Sequence, residues 1–541
     1  MDSTANRFTT HLGAYSEVVS RTLQRLHSER VVQRIWNRDH TVWKSDPREI
    51  TDRLGWLTLP SEMQGRLPAL NAFEDEVRHA GYQHVVALGM GGSSLGPEVL
   101  RQTFGKVSGY PELIVLDSTV PAWIRSVTDA IDPSRTLFVV SSKSGTTIEP
   151  NVLYRYFREM VEREIGEDSA GANFIAVTDP GTPLEELGKR EGFRRVFANQ
   201  PDIGGRYSVL SYFGLVPAAL TGIDVGELLK RADEMAQHRA VESSVAGNPG
   251  LHLGAIMGSL AKEGRDKLTL FMSPSIGSFG LWVEQLIAES TGKEGTGIVP
   301  IADEPVLSPE QYGDDRVFVF LRVDDDDNDE LDSRIDDLRD TGHPVVVIRM
   351  HDIFDLGAEF FRWEFATVVA GAILGIQPFD QPDVQAAKDA TNAVLEDFKM
   401  SGISPDVRPT GTVDELLAQT RPGDYLAIMA YVEQTLESDE ALAVLRQTVV
   451  ERYKVATTFG YGPRFLHSTG QLHKGGPHSG LFLQITSKHA DDIEIPGERF
   501  SFGNLADAQA AGDFQALRSL GRRVVRVDAS SIPGLTLSID D

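Results

Sequence analysis

From residue 84 to about 200 the chain alternates short, wholly apolar runs with longer stretches of helical periodicity. The runs are "VVAL" (85–88), "LIVL" (113–116), "LFVV" (137–140) and "FIAV" (174–177). Unbroken apolar runs suit strands buried on both faces, and the spacing leaves room for a crossover helix after each. This pattern predicts βαβ units and a parallel sheet covered by helices on both faces. Upstream, residues 10–80 read as helical, with Leu12, Val18, Val19, Leu23, Leu26 and Val31 near a helical period and the polar loop "WNRDHTVWKSDP" as an interruption. A helical stretch follows over roughly 207–265. A second set of buried strands comes next: "LTLFM" (268–272), "VFVFL" (317–321) and "PVVVIR" (344–349). Residues 400–424, rich in Gly, Pro and Thr, read as a linker before three more strand-like runs, "YLAIMAYV", "GLFLQIT" and "RRVVRVDA". "VFVFLRVDDDD…PVVVIR" and "LFLQITSKHADD…RRVVRV" share a layout of strand, acidic loop, helix and strand, as a degenerate repeat would.

Composition narrows the class. At 541 residues the chain is too long for one ordinary core. Fifty-two basic against 79 acidic residues give a net charge of −27, which argues against general affinity for nucleic acid or anionic membranes. An anionic ligand would therefore need its positive contacts concentrated in one place. The absence of cysteine excludes disulfides, zinc-thiolate sites, iron–sulfur clusters and cysteine nucleophiles. No secretion signal is visible, and "FATVVAGAILGI" (365–376) is too short to span a bilayer, so the cytosol is the expected location.

Parallel α/β sheets bind ligands at the carboxyl ends of their strands. Two such ends are unusual here. The first, "GMGGSSLGP" (89–97), departs from the dinucleotide pattern G-x-G-x-x-G at Ser94. Gly92 and its neighbours let the backbone approach a ligand, and Ser93 and Ser94 add hydroxyls. The second, "SSKSGTT" (141–147), sets five hydroxyls, among them Ser142, Ser144, Thr146 and Thr147, and the ammonium of Lys143 around one glycine. Singly, each loop is also a tight strand-to-helix connection. Together they read as a cage for a sugar phosphate. "GGRYS" (204–208) adds Arg206, a fixed planar cation. "EQLIAESTGK" (284–293) reads as the end of a helix that places Gln285 and Glu289 on one face. Burial and the negative helix end would raise the pKa of Glu289 toward that of a general base working near neutrality.

These elements, with "PFDQPDVQAAK" (378–388), resemble the phosphoglucose isomerase family over roughly 40–390. The first two motifs also occur in other sugar isomerase (SIS) domains. The resemblance implies two SIS-type doubly wound parallel-sheet domains, with an N-terminal helical segment and an additional C-terminal α/β segment. The expected boundaries are 1–80, 81–230, 231–400 and 401–541. It places Ser93, Ser142, Lys143, Ser144 and Thr147 at the phosphate and makes Glu289 the base between C1 and C2. Arg206 would stabilise the cis-enediol(ate), Gln285 would line the site, and Gln381 would lie near the phosphate. Lys388 would help to open the sugar ring together with a histidine. The family has that histidine soon after the glutamate helix, but 290–342 contains none, and His343 and His351 fit no motif. The match lies downstream in "FLHSTGQLHKGG" (465–476), which makes His467 the candidate. This order resembles the isomerase half of transaldolase–isomerase fusions.

The expected activity is interconversion of glucose 6-phosphate and fructose 6-phosphate by a homodimer, with no metal and no organic cofactor. A preference for mannose 6-phosphate, or a non-catalytic SIS sensor of sugar phosphates, are the rival readings. The sensor would not require Glu289, Arg206 and Lys388.

Overall fold

The computed structural model describes residues 7–237 and 248–535. Strand β1 (Phe8–His11) comes first, followed by β2 (His84–Leu88), β3 (Glu112–Leu116), β4 (Thr136–Ser141), β5 (Phe174–Thr178) and β6 (Arg195–Ala198). The next group is β7 (Lys267–Met272), β8 (Val299–Ile301), β9 (Arg316–Val323) and β10 (Val345–Met350). The last is β11 (Tyr425–Tyr431), β12 (Ala456–Tyr461), β13 (Gly480–Thr486) and β14 (Arg523–Asp528). They form three sheets, ordered β3-β2-β4-β5-β6, β1-β10-β9-β7-β8 and β12-β11-β13-β14. Pairing is parallel except where β1 lies antiparallel to β10.

Counted from β2, β7 and β11 respectively, each sheet runs second–first–third–fourth, with β6 added as a fifth strand in the first sheet and β1 at the edge of the second. The C-terminal segment is thus a third sheet with the winding of the other two. The two segments with a shared layout are β9 to β10 and β13 to β14, each a parallel pair joined by a helix. The apolar runs quoted above fall on β2–β5, β7, β9–β11, β13 and β14.

Three strands have weaker patterns that the sequence does not announce: β6 ("RVFA"), β8 ("VPI") and β12 ("ATTFGY"). The N-terminal segment, expected to be helical, also supplies β1, an edge strand whose last three residues are exposed and so carry no apolar signal. Its helices are Ser16–Ser28, Val31–Trp36, Leu59–Gln64 and Leu67–Ala80. Of the helical stretch expected over 207–265, residues 238–247 lie outside the described residues.

The three sheets are welded together by apolar contacts. Helix Leu356–Leu374 is buried along most of its length and belongs to the cluster that joins the N-terminal helices to the first two sheets. Helix Phe502–Ser519, from the third unit, lays Phe502, Leu505 and Ala508 on Val86, Leu88, Phe138 and Phe174 of the first sheet. Tyr425, Ala427 and Met429 of the third sheet share a cluster with Val299 and Ile301 of the second and with Ala288 of helix Phe279–Thr291. Each large apolar side chain fully buried in this way contributes about 1.5–3 kcal/mol relative to exposure. The third unit is thereby fixed against both others, with its β12 turn facing the loops of the first sheet.

Candidate active site

Strand β2 has β3 on one side and β4 on the other. The crevice between β2 and β4 is the topological switch point, where doubly wound sheets hold ligands. Both glycine- and serine-containing loops end there. Gly91 has φ 55°, and a Cβ on it would lie 2.8 Å from both Gln285 Nε2 and the His467 carbonyl. A Cβ on Gly92 would lie 1.9 Å from the Gly205 carbonyl oxygen. The loop therefore needs glycine because two other chain segments pass against its backbone. In the second loop Ser142 Oγ accepts from Gly145 N at 3.1 Å and lies 3.0 Å from Thr147 Oγ1, while Ser144 and Thr146 pair at 2.9 Å. Ser93 and Ser142 are buried at the crevice.

Helix Phe279–Thr291 carries the acid–base candidate. Phe279, Trp282, Val283, Leu286 and Ile287 bury its apolar faces, which fixes the direction of Gln285 and Glu289. Glu289 lies 3.1 Å from Arg206 Nη1, and both side chains are less than a tenth exposed. Its other oxygen accepts from Gln285 Nε2 at 3.2 Å, and that amide also donates to the His467 carbonyl at 2.8 Å. Gln285 Oε1 is buried without a partner among the described residues. Arg206 is held by Ser290 Oγ at 2.9 Å and by the Pro378 and Asp380 carbonyls at 2.9 Å each. It also donates to Gln381 Oε1 at 3.4 Å.

The opposite wall comes from the third unit. His467 lies in the turn after β12, and its Nε2 is 3.0 Å from Glu149 Oε1. Glu149 begins the helix after the serine-rich loop and is almost wholly buried. Burial pushes its carboxyl up, but the charge and hydrogen bond of His467 and the charge of Lys388 outweigh this, and the group is held below its usual value. Gln509 donates to the same oxygen at 2.7 Å and accepts from Thr119 Oγ1 at 2.7 Å. Sequence reasoning misses both Glu149 and Gln509. Glu149 stands two residues beyond the last loop hydroxyl, a spacing that could have pointed to it.

The phosphoglucose isomerase family model matches residues 75–300. A glucose-6-phosphate isomerase of Rubrobacter xylanophilus is 30% identical over 391 residues, covering 64% of this chain and 89% of that protein. The chain belongs to the phosphoglucose isomerase family. A glucose-6-phosphate isomerase of Staphylococcus saprophyticus is 29% identical over 393 residues, 64% of this chain and 87% of its own length. Two solved structures share the fold. One is a hypothetical protein of Thermus thermophilus, with TM-score 0.61 and 22% identity over 71% of this chain and 99% of that one. The other is a glucose-6-phosphate isomerase of Chlamydia trachomatis, with TM-score 0.58 and 18% identity over 73% of this chain and 94% of that one.

In this phosphoglucose isomerase family member the matched span holds both loops, Arg206, Gln285 and Glu289, whereas Gln381, Lys388 and His467 lie beyond it. Lys388 is exposed near the start of helix Val384–Ser401, and its charge reaches Glu149. Lys143 differs from the expectation in direction. Its ammonium pairs with Asp179 and donates to the Pro201 carbonyl at 2.9 Å. The other histidines stand elsewhere. His343 meets Phe318 edge to face, and His473 is buried against Phe465 and Phe482, where desolvation keeps it neutral. Among the described residues no group of three or more His, Asp or Glu is arranged to hold a metal, and no helix is long and apolar enough to cross a membrane.

Proposed function

We propose that this protein interconverts glucose 6-phosphate and fructose 6-phosphate, as an aldose–ketose isomerase. The observation that carries this reading is the buried Glu289–Arg206 pair facing the loops at the switch point. A sensor that only bound a sugar phosphate would have no use for a buried carboxylate held between a guanidinium and an amide. The phosphate sits on the backbone N–H groups and hydroxyls of 89–94 and 141–147, with Ser93, Ser142, Ser144, Thr146 and Thr147 as its polar contacts. Glu289 removes the proton from C2 of the aldose and returns it at C1. Arg206, poised beside it, stabilises the enediolate oxygen that develops between them. The free Oε1 of Gln285 accepts a sugar hydroxyl.

Ring opening falls to His467 and Lys388. Glu149 accepts from Nε2 of His467, which leaves Nδ1 for the ring oxygen. The chain holds every one of these groups itself. The homodimer implied by the family resemblance is therefore not needed to complete the site. The third sheet, which supplies His467 in cis, supports the likeness to fusion-type isomerases.

The test is a coupled assay for glucose 6-phosphate formation from fructose 6-phosphate. Glu289→Gln should still bind a substrate-like inhibitor but lose turnover by about 10²–10⁴-fold, the usual worth of a general base. In the wild type, solvent deuterium should enter at C2 of glucose 6-phosphate. A Glu289→Gln protein with near-normal turnover would reject the assignment.

A further inference from the structure

Lys293 stands just beyond Gly292, which caps the helix that carries Glu289, and has no part in the reaction described above. Its side chain is 1% exposed, and the ammonium donates to Asp380 Oδ1 at 2.7 Å and to the Asp380 carbonyl at 2.6 Å. Arg206 Nη2 donates to the same carbonyl at 2.9 Å. Two cations and two carboxylates thus share one hydrogen-bonded cluster, paired Arg206 with Glu289 and Lys293 with Asp380.

We infer that Lys293 is a positioning residue: it occupies the Asp380 carboxylate and so keeps Arg206 beside Glu289, where the enediolate charge develops. The inference rests on the isomerase reading. Removing one partner of a buried ion pair leaves an uncompensated charge that must find another partner. For Asp380 the nearest replacement is Arg206, already bonded to its carbonyl. A guanidinium drawn to Asp380 leaves Glu289 without its cation and the reacting carbons without their charge stabiliser.

The electrostatics agree with this division. Burial, then the charge of Arg206, pulls the Lys293 ammonium down to about 8, while Asp380 and Glu289 act in the opposite direction. Arg206 comes from the turn after β6, Glu289 from helix Phe279–Thr291, and Asp380 from the segment before helix Val384–Ser401. Glu294, next along the chain, is engaged by Lys44 at the surface, and Asp383 by Gln471. As pH rises through about 8, Lys293 gives up its proton and Asp380 loses its partner. Activity therefore falls on that limb.

The experiment compares wild type, Lys293→Met, Asp380→Asn and the double variant. Each is assayed for kcat and KM on fructose 6-phosphate between about pH 6.5 and 9.5 and melted by circular dichroism. Lys293→Met should lower kcat at neutral pH at least about tenfold with KM changed by less than about threefold, the pattern of a lost transition-state interaction. Asp380→Asn removes the competing carboxylate; Lys293, already pulled down by burial and by Arg206, then sheds its proton while keeping its bond to the carbonyl of residue 380, so kcat should stay within about threefold of wild type. The double variant should recover to the Asp380→Asn level, which a merely structural ion pair would not produce. The basic limb near pH 8 should be present in wild type and absent from Asp380→Asn. Near-normal kcat in Lys293→Met, a double variant as impaired as Lys293→Met, or a limb that persists in Asp380→Asn would each overturn the inference. If Lys293→Met does not fold, the pH profile of Asp380→Asn decides alone. Wild-type protein inactive on fructose 6-phosphate would instead reject the isomerase reading.

Discussion

On the proposed mechanism, Glu149→Gln isolates the ring-opening step. In the structure one carboxylate oxygen accepts from His467 at 3.0 Å and from Gln509 at 2.7 Å. The substitution keeps the shape, removes the charge and places an amide donor where only acceptors are wanted. A hydrogen bond to a charged group is worth about 1.5–3 kcal/mol, which corresponds to roughly 10- to 150-fold in rate. That loss should appear with cyclic glucose 6-phosphate in the coupled assay. A four-carbon aldose phosphate, already open-chain, should lose less than about threefold, because Glu289 and Arg206 are untouched. His467→Ala should show the same selectivity, and the double variant should be no worse than His467→Ala alone, since the two residues act as one unit. The carboxyl is held below its ordinary value of 4.5 in the fold, so its contribution to stability is complete above that pH and is lost as pH falls through the folded value. Glu149→Gln should accordingly flatten the acid limb of the melting curve. Equal loss on cyclic and open-chain substrates would refute the reasoning, because it would place Glu149 in the proton transfer or in the fold rather than behind His467.

Four further variants test other parts of the molecule. Ser142→Ala removes the hydroxyl that receives Gly145 N–H and meets Thr147, and should raise KM about tenfold; Lys143→Met, whose ammonium is spent on Asp179, should raise it less than about fivefold, and a larger rise would mean that the ammonium turns to the phosphate when substrate binds. Gly92→Ala drives a methyl group into the Gly205 carbonyl and should cost about 1–3 kcal/mol of stability together with most activity; a stable, active variant in melting and turnover assays would contradict the contact. Burial pushes the Glu284 carboxyl up to about 8, with Arg446 opposing, so the folded protein holds one more proton than the unfolded chain from the ordinary value of 4.5 up to that pH, and stability falls as pH rises through this window. Glu284→Gln should therefore raise the Tm more at pH 8 than at pH 5, and an equal shift at both would show that the carboxyl is ionised throughout.

The buried strands were legible because parallel sheets covered on both faces demand unbroken apolar runs, as in "LFVV" and "LFLQIT". Strands β6, β8 and β12 escaped because exposed Arg195, Pro300 and the Thr–Gly content of "ATTFGY" break that signal. The loops were visible as unusual polar chemistry at strand ends, yet the direction of Lys143 depends on Asp179 and Pro201, neither of which is near it in sequence. His467 could be picked out by motif, but its carboxylate partner lies 318 residues away, and no local pattern links two such positions. Lys293 reads in the sequence only as part of a helix-end motif. Its role depends on the segment around Asp380 folding back over Arg206, which periodicity does not report.

One face of the first sheet is completed by Phe502, Leu505 and Ala508. During synthesis the strands from Val86 to Phe174 leave the ribosome roughly 300 residues before this covering helix exists. At typical elongation rates that is an interval of about 15–60 s. Throughout it, Phe157 and Tyr154 of helix Ile148–Ile165 can already pack on Phe138 and Phe174, but the part of this face that Phe502, Leu505 and Ala508 cover lacks its native partner. The nascent protein must keep that surface from self-association, with its own strong negative charge and any holding chaperone as the available means. The arrangement that brings His467 of the third unit to Glu149 of the first also makes the first sheet wait for this later-made helix.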